Sequence, residues 1–147
     1  MHTSVEPFPE RCIRLSVQIL KLTETIPRGP ITRPIIDQLV RSSMAIGANT
    51  SEAKSAQSRA DFISKFEIAL KEAREAGYWL EVVRQAHLTA EAACLKELMG
   101  ECQQLTAILV SSVKTAKQNA KNQKVRSESR SNFAAKNEAE SRTKKSF

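Results

Sequence analysis

The sequence predicts an all-α chain, an antiparallel up-down-up-down four-helix bundle with a disordered basic C-terminal tail. Three observations carry that expectation. Four segments repeat apolar residues at helical spacing, and no segment alternates with the period of a strand. Only four glycines punctuate 147 residues, and aromatics make up 5%, so little in the chain breaks a helix or favours a sheet. Alanine, leucine, glutamate, lysine, glutamine and arginine dominate, side chains that lose little freedom on a helix.

Residues 1–9 hold Pro7 and Pro9 and are expected to form a flexible lead-in. Glu10 opens the first helix, its carboxylate placed where the helix N-terminus favours negative charge. The spine is Leu15, Ile19, Leu22 and Ile26, with Cys12 extending it backward. Pro27 and the Arg28-Gly29-Pro30 break end it.

Thr32 is the expected N-cap of the second helix, with Pro34 tolerated in its first turn. Ile35, Ile36, Leu39 and Ile46 line that helix beside the small residues Ser42, Ser43, Ala45, Gly47 and Ala48. A glycine inside a helix costs about 1 kcal/mol relative to alanine. The run of small residues therefore predicts close approach of another helix, which offsets that cost.

Ser55 to Ser58 form a connection, and Ser58 followed by Asp61 resembles a capping box at the start of the third helix. Phe62, Phe66, Ala69, Ala73, Ala76, Leu80 and Val83 then step four-three-four-three-four-three, a coiled-coil-like seam with a small-residue centre. Beyond His87-Leu88-Thr89, the fourth helix is expected near Ala90. Its stripe is Leu95, Leu98, Cys102, Leu105 and Leu109, widened by Met99, Ile108 and Val113. The bundle is thus read as residues 10–120. From about residue 123 the chain has too little to bury and disorder is expected.

Net charge is +7, placed unevenly. Residues 1–120 hold 15 basic and 13 acidic side chains, whereas residues 121–147 hold eight basic and three acidic. Such a tail is either an electrostatic arm for a polyanion or a solubilising extension. Cys12, Cys94 and Cys102 lie at no ligand-like spacing and read as small buried hydrophobes. The chain opens with no signal-peptide pattern, and no window approaches the ~20 apolar residues that span a bilayer. A cytoplasmic protein without membrane contact is expected.

Chemistry is sparse. His2 and His87 are the only histidines, and Gly29, Gly47, Gly77 and Gly100 are too scattered for a phosphate loop. Bundle di-metal sites use Glu-x-x-His pairs; none occurs among Glu52, Glu67, Glu72, Glu75, Glu81 and Glu101. Several of these glutamates alternate with cations, as in Glu67–Lys71 and Lys71–Glu75, and read as a paired, solvated face. No catalysis, metal or cofactor is expected. Asn49 with Glu52, and Glu72 with Glu75, are either recognition or interface groups, or hydrogen-bonding residues that fix helix register. Trp79 is core or interface. Candidate phosphate contacts are Arg41, Lys65, Lys71, Arg74 and Arg84 on the body. In the tail they are Lys121, Lys124, Arg126, Arg130, Lys136, Arg142, Lys144 and Lys145. Only Phe133 and Phe147 could stack bases in the tail.

The stretch Gln38-Leu39-Val40-Arg41-Ser42-Ser43-Met44-Ala45-Ile46-Gly47-Ala48-Asn49-Thr50-Ser51-Glu52-Ala53 resembles the four-helix bundle family named for proteins of 23S ribosomal RNA intervening sequences. Ser58-Arg59-Ala60-Asp61-Phe62, and the run from Ala69-Leu70-Lys71-Glu72-Ala73-Arg74-Glu75 to Trp79-Leu80, carry the same likeness. The resemblance covers about residues 10–116. It implies an antiparallel bundle that assembles into a homopentamer. Relatives among accessory proteins of diversity-generating retroelements imply basic pentamers that bind nucleic acid and a reverse transcriptase. The leading expectation is therefore a non-enzymatic oligomeric bundle that binds RNA or DNA electrostatically as an adaptor. The alternative is a protein-interaction scaffold with no direct nucleic-acid role.

Overall fold

The computed structural model describes residues 6–144, with side chains for residues 6–137. Four helices follow in order: α1 (Phe8–Glu24), α2 (Thr32–Ala53), α3 (Arg59–Gln85) and α4 (Ala92–Lys144). The chain divides into two compact units, Met1–Val113 and Lys114–Phe147. Val113 is the last buried apolar residue of the core, so the division falls where apolar burial stops.

Within the first unit each neighbouring pair of helices is antiparallel. Ser16 Oγ of α1 donates to the Ser43 carbonyl of α2 at 3.1 Å. Lys65 of α3 reaches back to Glu52 of α2 at 2.5 Å, while Arg41 meets Glu72 further along. Cys102 Sγ donates to the Ala73 carbonyl at 3.3 Å, joining α4 to α3. Arg11 meets Glu101, and the Thr25 and Thr89 hydroxyls lie 2.6 Å apart, so α4 also runs back along α1. The bundle therefore closes as up-down-up-down.

The core follows the predicted stripes, except that Ile35 of α2, Phe62 and Phe66 at the head of the α3 seam, and Met99 of α4 are only half-buried. Cys12, Leu15, Ile19, Leu22 and Ile26 of the first spine are buried, as are Ile36, Leu39 and Ile46, the Ala69–Ala73–Ala76–Leu80–Val83 seam, and Leu95, Leu98, Cys102, Leu105 and Leu109. Burial of this apolar surface at ~25 cal/mol per Å² is the main drive for folding. Gly47 sits against α1, where a Cβ built on it would lie 3.3 Å from Cys12 Cβ. The small-residue run of α2 is thus where its backbone closes on α1. Ser42, Ser43 and Thr50 are buried there and satisfy their hydroxyls on carbonyls of their own helix. Burial pushes the Cys12 and Cys102 thiols up to about 11, the behaviour of packed hydrophobes rather than nucleophiles. Cys94 is only half-buried.

Several local expectations change. The first helix begins at Phe8 rather than Glu10, because Pro9 sits in its first turn, where a missing N–H costs nothing. The lead-in is shorter accordingly, and residues 1–5 lie outside the described part. Thr32 does not cap α2. Its hydroxyl donates to the Pro27 carbonyl at 2.6 Å and accepts from the Gly29 N–H at 2.9 Å, tying the turn before the helix. Ser58 does cap α3, accepting from Asp61 N–H at 3.1 Å, while Asp61 accepts from Gln57 N–H. Ile108 remains 37% exposed rather than joining the core.

The largest correction concerns the tail. The stretch expected to be disordered is helical as far as Lys144. No glycine or proline follows Gly100, and alanine, lysine and arginine recur through this stretch, side chains of good helix propensity. Low apolar content argues against burial, which is a different matter from helicity. Among the described residues, no helix is long and apolar enough to cross a membrane.

Candidate nucleic-acid interface

The predicted cations separate into neutralised and unpaired groups. Arg41 stands on α2 opposite two α3 carboxylates one turn apart. Its guanidinium donates to Glu72 at 3.1 Å and to Glu75 at 2.5 Å. The Glu75 hydrogen bond raises the Arg41 pKa, and Arg41 in turn holds Glu75 below the usual carboxylate range. Trp79 Nε1 donates to the same Glu75 at 3.3 Å. Arg41, Glu72, Glu75 and Trp79 therefore form one network across α2 and α3.

Lys65 is likewise paired with Glu52, which raises the lysine pKa. Arg84 pairs with Glu81 one turn earlier, and Gln85 donates to the same carboxylate. Together, Arg84 first and Gln85 second, they pull Glu81 down to about 2. Asn49 turns onto its own helix, its Nδ2 donating to the Ala45 carbonyl at 2.9 Å, and is not joined to Glu52. Glu75 faces Arg41 rather than Lys71, so the predicted Lys71–Glu75 pair does not form. Lys71 and Arg74 are exposed and make no ion pair among the described residues.

The second unit is different in kind. Between Lys114 and Asn137 it carries seven lysines and arginines against a single carboxylate, Glu128. Lys121, Lys124, Arg126, Arg130 and Lys136 are all exposed on the continuous α4 helix. Lys121 and Lys124 share one face at a spacing of three. Arg126 and Arg130, four apart, share the other. Lys145 lies outside the described residues, as do the side chains of Arg142 and Lys144.

Among the described residues, no group of three histidines, cysteines or carboxylates is placed to hold a metal ion. A cleft of about 620 Å³ between the end of α3 and the start of α4 has Arg84, His87 and Lys96 over Val83, Leu95 and Met99, and no carboxylate or cysteine lines it.

Sequence reasoning missed two features. The Arg41–Glu75 pair follows from the antiparallel register that sets residue 52 against 65 and brings 41 level with 75, a register that only the packing of α2 on α3 supplies. Tyr78, 61% exposed beside Trp79, carried no signal beyond its polarity.

Comparison with known proteins bears on the first unit. A family model described as 23S rRNA-intervening sequence protein matches residues 9–111. A crystal structure from Bacteroides thetaiotaomicron VPI-5482, described as a protein of unknown function from the S23 ribosomal protein family, is 33% identical. The likeness covers 74% of this chain and 99% of that one, with a TM-score of 0.61. No curated protein matches the chain.

Proposed function

The chain belongs to the 23S rRNA-intervening sequence protein family, and from that premise we propose that it is a non-enzymatic bundle that binds RNA or DNA through its C-terminal helix. The observation that carries this reading is the partition of cations. Arg41, Lys65 and Arg84 on the bundle are each held by a carboxylate, so their field at a distance is largely cancelled. Lys121, Lys124, Arg126 and Arg130 stand exposed on α4, with only Glu128 among them. Phosphate contacts made by such side chains release counterions and read no sequence directly. Cations on both faces suit a helix lying between two phosphate backbones, as in a major groove.

Self-association in a cytoplasmic setting completes the reading. The apolar side chains Ile13, Val17 and Leu20 follow one face of α1, with Met44 near them on α2, and all four are exposed. That face supports assembly into a homo-oligomer, with the pentamer of the family as the expected form. The same face supports a second reading, a scaffold that docks a protein partner while the basic helix keeps the assembly soluble.

Fluorescence anisotropy with labelled duplex DNA and structured RNA separates the two. Binding by the full chain that collapses when Lys121, Lys124, Arg126 and Arg130 are changed to glutamine fits the nucleic-acid role. Absence of binding at low salt removes it and leaves the scaffold.

A further inference from the structure

The exposed face of α3 carries a second and different contact surface. Lys71, Arg74 and Tyr78 follow one another at three and four residues, so they stack along one stripe about 10 Å long. Tyr78 is 61% exposed. Its ring meets the Trp79 ring edge-on, with centroids 5.0 Å apart and planes at 74°.

That ring is not a loose surface group. Trp79 is half-buried, and its indole is tied to Glu75, which Arg41 grips from α2. The chain Arg41–Glu75–Trp79 thus fixes one wall against which Tyr78 rests. The same network and its neighbours bind three of the carboxylates near the ring, while Glu67 lies one turn before Lys71, away from Tyr78. Glu72 and Glu75 are bound by Arg41, and Glu81, on the far side of Tyr78, is bound by Arg84 and Gln85. Lys71 and Arg74 make no ion pair among the described residues and stand beside an aromatic face.

We propose that Lys71, Arg74 and Tyr78 form a platform for single-stranded nucleic acid, the tyrosine stacking on an unpaired base while the two cations hold the adjacent phosphates. A stacked base is the part of the ligand that a duplex withholds, so this surface discriminates strand state, which phosphate contacts alone do not. The proposal takes its ligand class from the nucleic-acid reading, but its contact does not depend on the C-terminal helix.

The test uses the full chain with fluorescein-labelled oligouridylate and a duplex of equal length, comparing wild type with Tyr78→Ala, Tyr78→Phe and the Lys71→Gln/Arg74→Gln pair. Loss of the ring is expected to weaken single-strand binding by roughly fivefold or more, leave duplex binding unchanged, and be rescued by phenylalanine. The paired change is expected to lower the salt slope for the single strand by about 1.4, two phosphates at roughly 0.7 each. Wild-type binding to the single strand that ignores both changes would overturn the platform alone. A wild-type chain that binds neither ligand at low salt would overturn the platform together with the nucleic-acid reading. Circular dichroism of each variant identifies any that has lost its fold, and the Phe variant then decides.

Discussion

Arg11 and Glu101, ninety residues apart, meet through two parallel hydrogen bonds of 2.8 Å each, from Nε and Nη2 to the two carboxylate oxygens. Arg14 reaches the same carboxylate at 3.2 Å. Both partners of the main pair are largely shielded, at 14% and 15% exposure, so solvent screens them only partly. The pair fixes the register of α1 on α4.

Removing Arg11 leaves a mostly buried carboxylate short of its partner, and Arg11→Ala should destabilise the protein by about 2 kcal/mol. The pH dependence follows from the same contact. Arg11 holds the Glu101 pKa below its ordinary 4.5, so the folded state binds its proton less readily than the unfolded chain. The stabilisation is full at neutral pH, begins to fall as pH drops through the ordinary carboxylate range, and is gone below the lowered folded value. Glu75 and Glu81 act in the same direction. Urea denaturation across pH 2 to 7, about the span of these titrations, should therefore show a shallower acid decline for Glu101→Gln than for wild type.

Two glycines should respond oppositely to substitution. Nothing lies within 4 Å of a Cβ built on Gly100, so Gly100→Ala should gain about 0.8 kcal/mol of helix propensity. At Gly47 the Cys12 Cβ already stands 3.3 Å away, and Gly47→Leu should cost ~2 kcal/mol or more by prising α1 from α2. Thermal melts of the two variants check both signs.

His87 ends α3 with a φ of 50°. Leu88 N–H reaches the Val83 carbonyl at 3.1 Å and His87 N–H reaches Arg84 at 3.2 Å, the pattern of a Schellman closure with histidine in the glycine position. The left-handed conformation costs an L-residue about 1 kcal/mol. His87→Gly should therefore stabilise the fold by up to that amount, read as a rise in the denaturation midpoint at unchanged slope.

The bundle is legible in the sequence because its signal is local. The spine of α1 and the α3 seam from Ala69 to Val83 bury the residues their spacing names, Phe62 and Phe66 staying half-buried, and Ser58 caps the helix it precedes. What escapes the sequence depends on neighbours. Thr32 has the right type and place for a cap, but a turn carbonyl at Pro27 competes for its hydroxyl. For the residues after 123, apolar content is the wrong guide, because it reports burial, while the helix follows local propensity in a stretch without glycine or proline. Among candidate site residues, the sequence marks Arg41 and Lys65 as phosphate contacts with no knowledge of Glu75 and Glu52 across the helix pair. The register that makes those pairs is tertiary information, and it moves the expected binding from the bundle to the C-terminal helix.

The salt dependence of duplex binding tests that relocation most directly. Log affinity against log salt should be steep for the full chain. Changing Lys121, Lys124, Arg126 and Arg130 to glutamine should lower the slope by about 3.6, roughly 0.9 for each of the four phosphates no longer neutralised. Changing Arg41, Lys65 and Arg84 instead should leave it nearly unaltered. Equal slopes for wild type and the C-terminal variant, or a slope carried by the three paired bundle cations, would contradict the account.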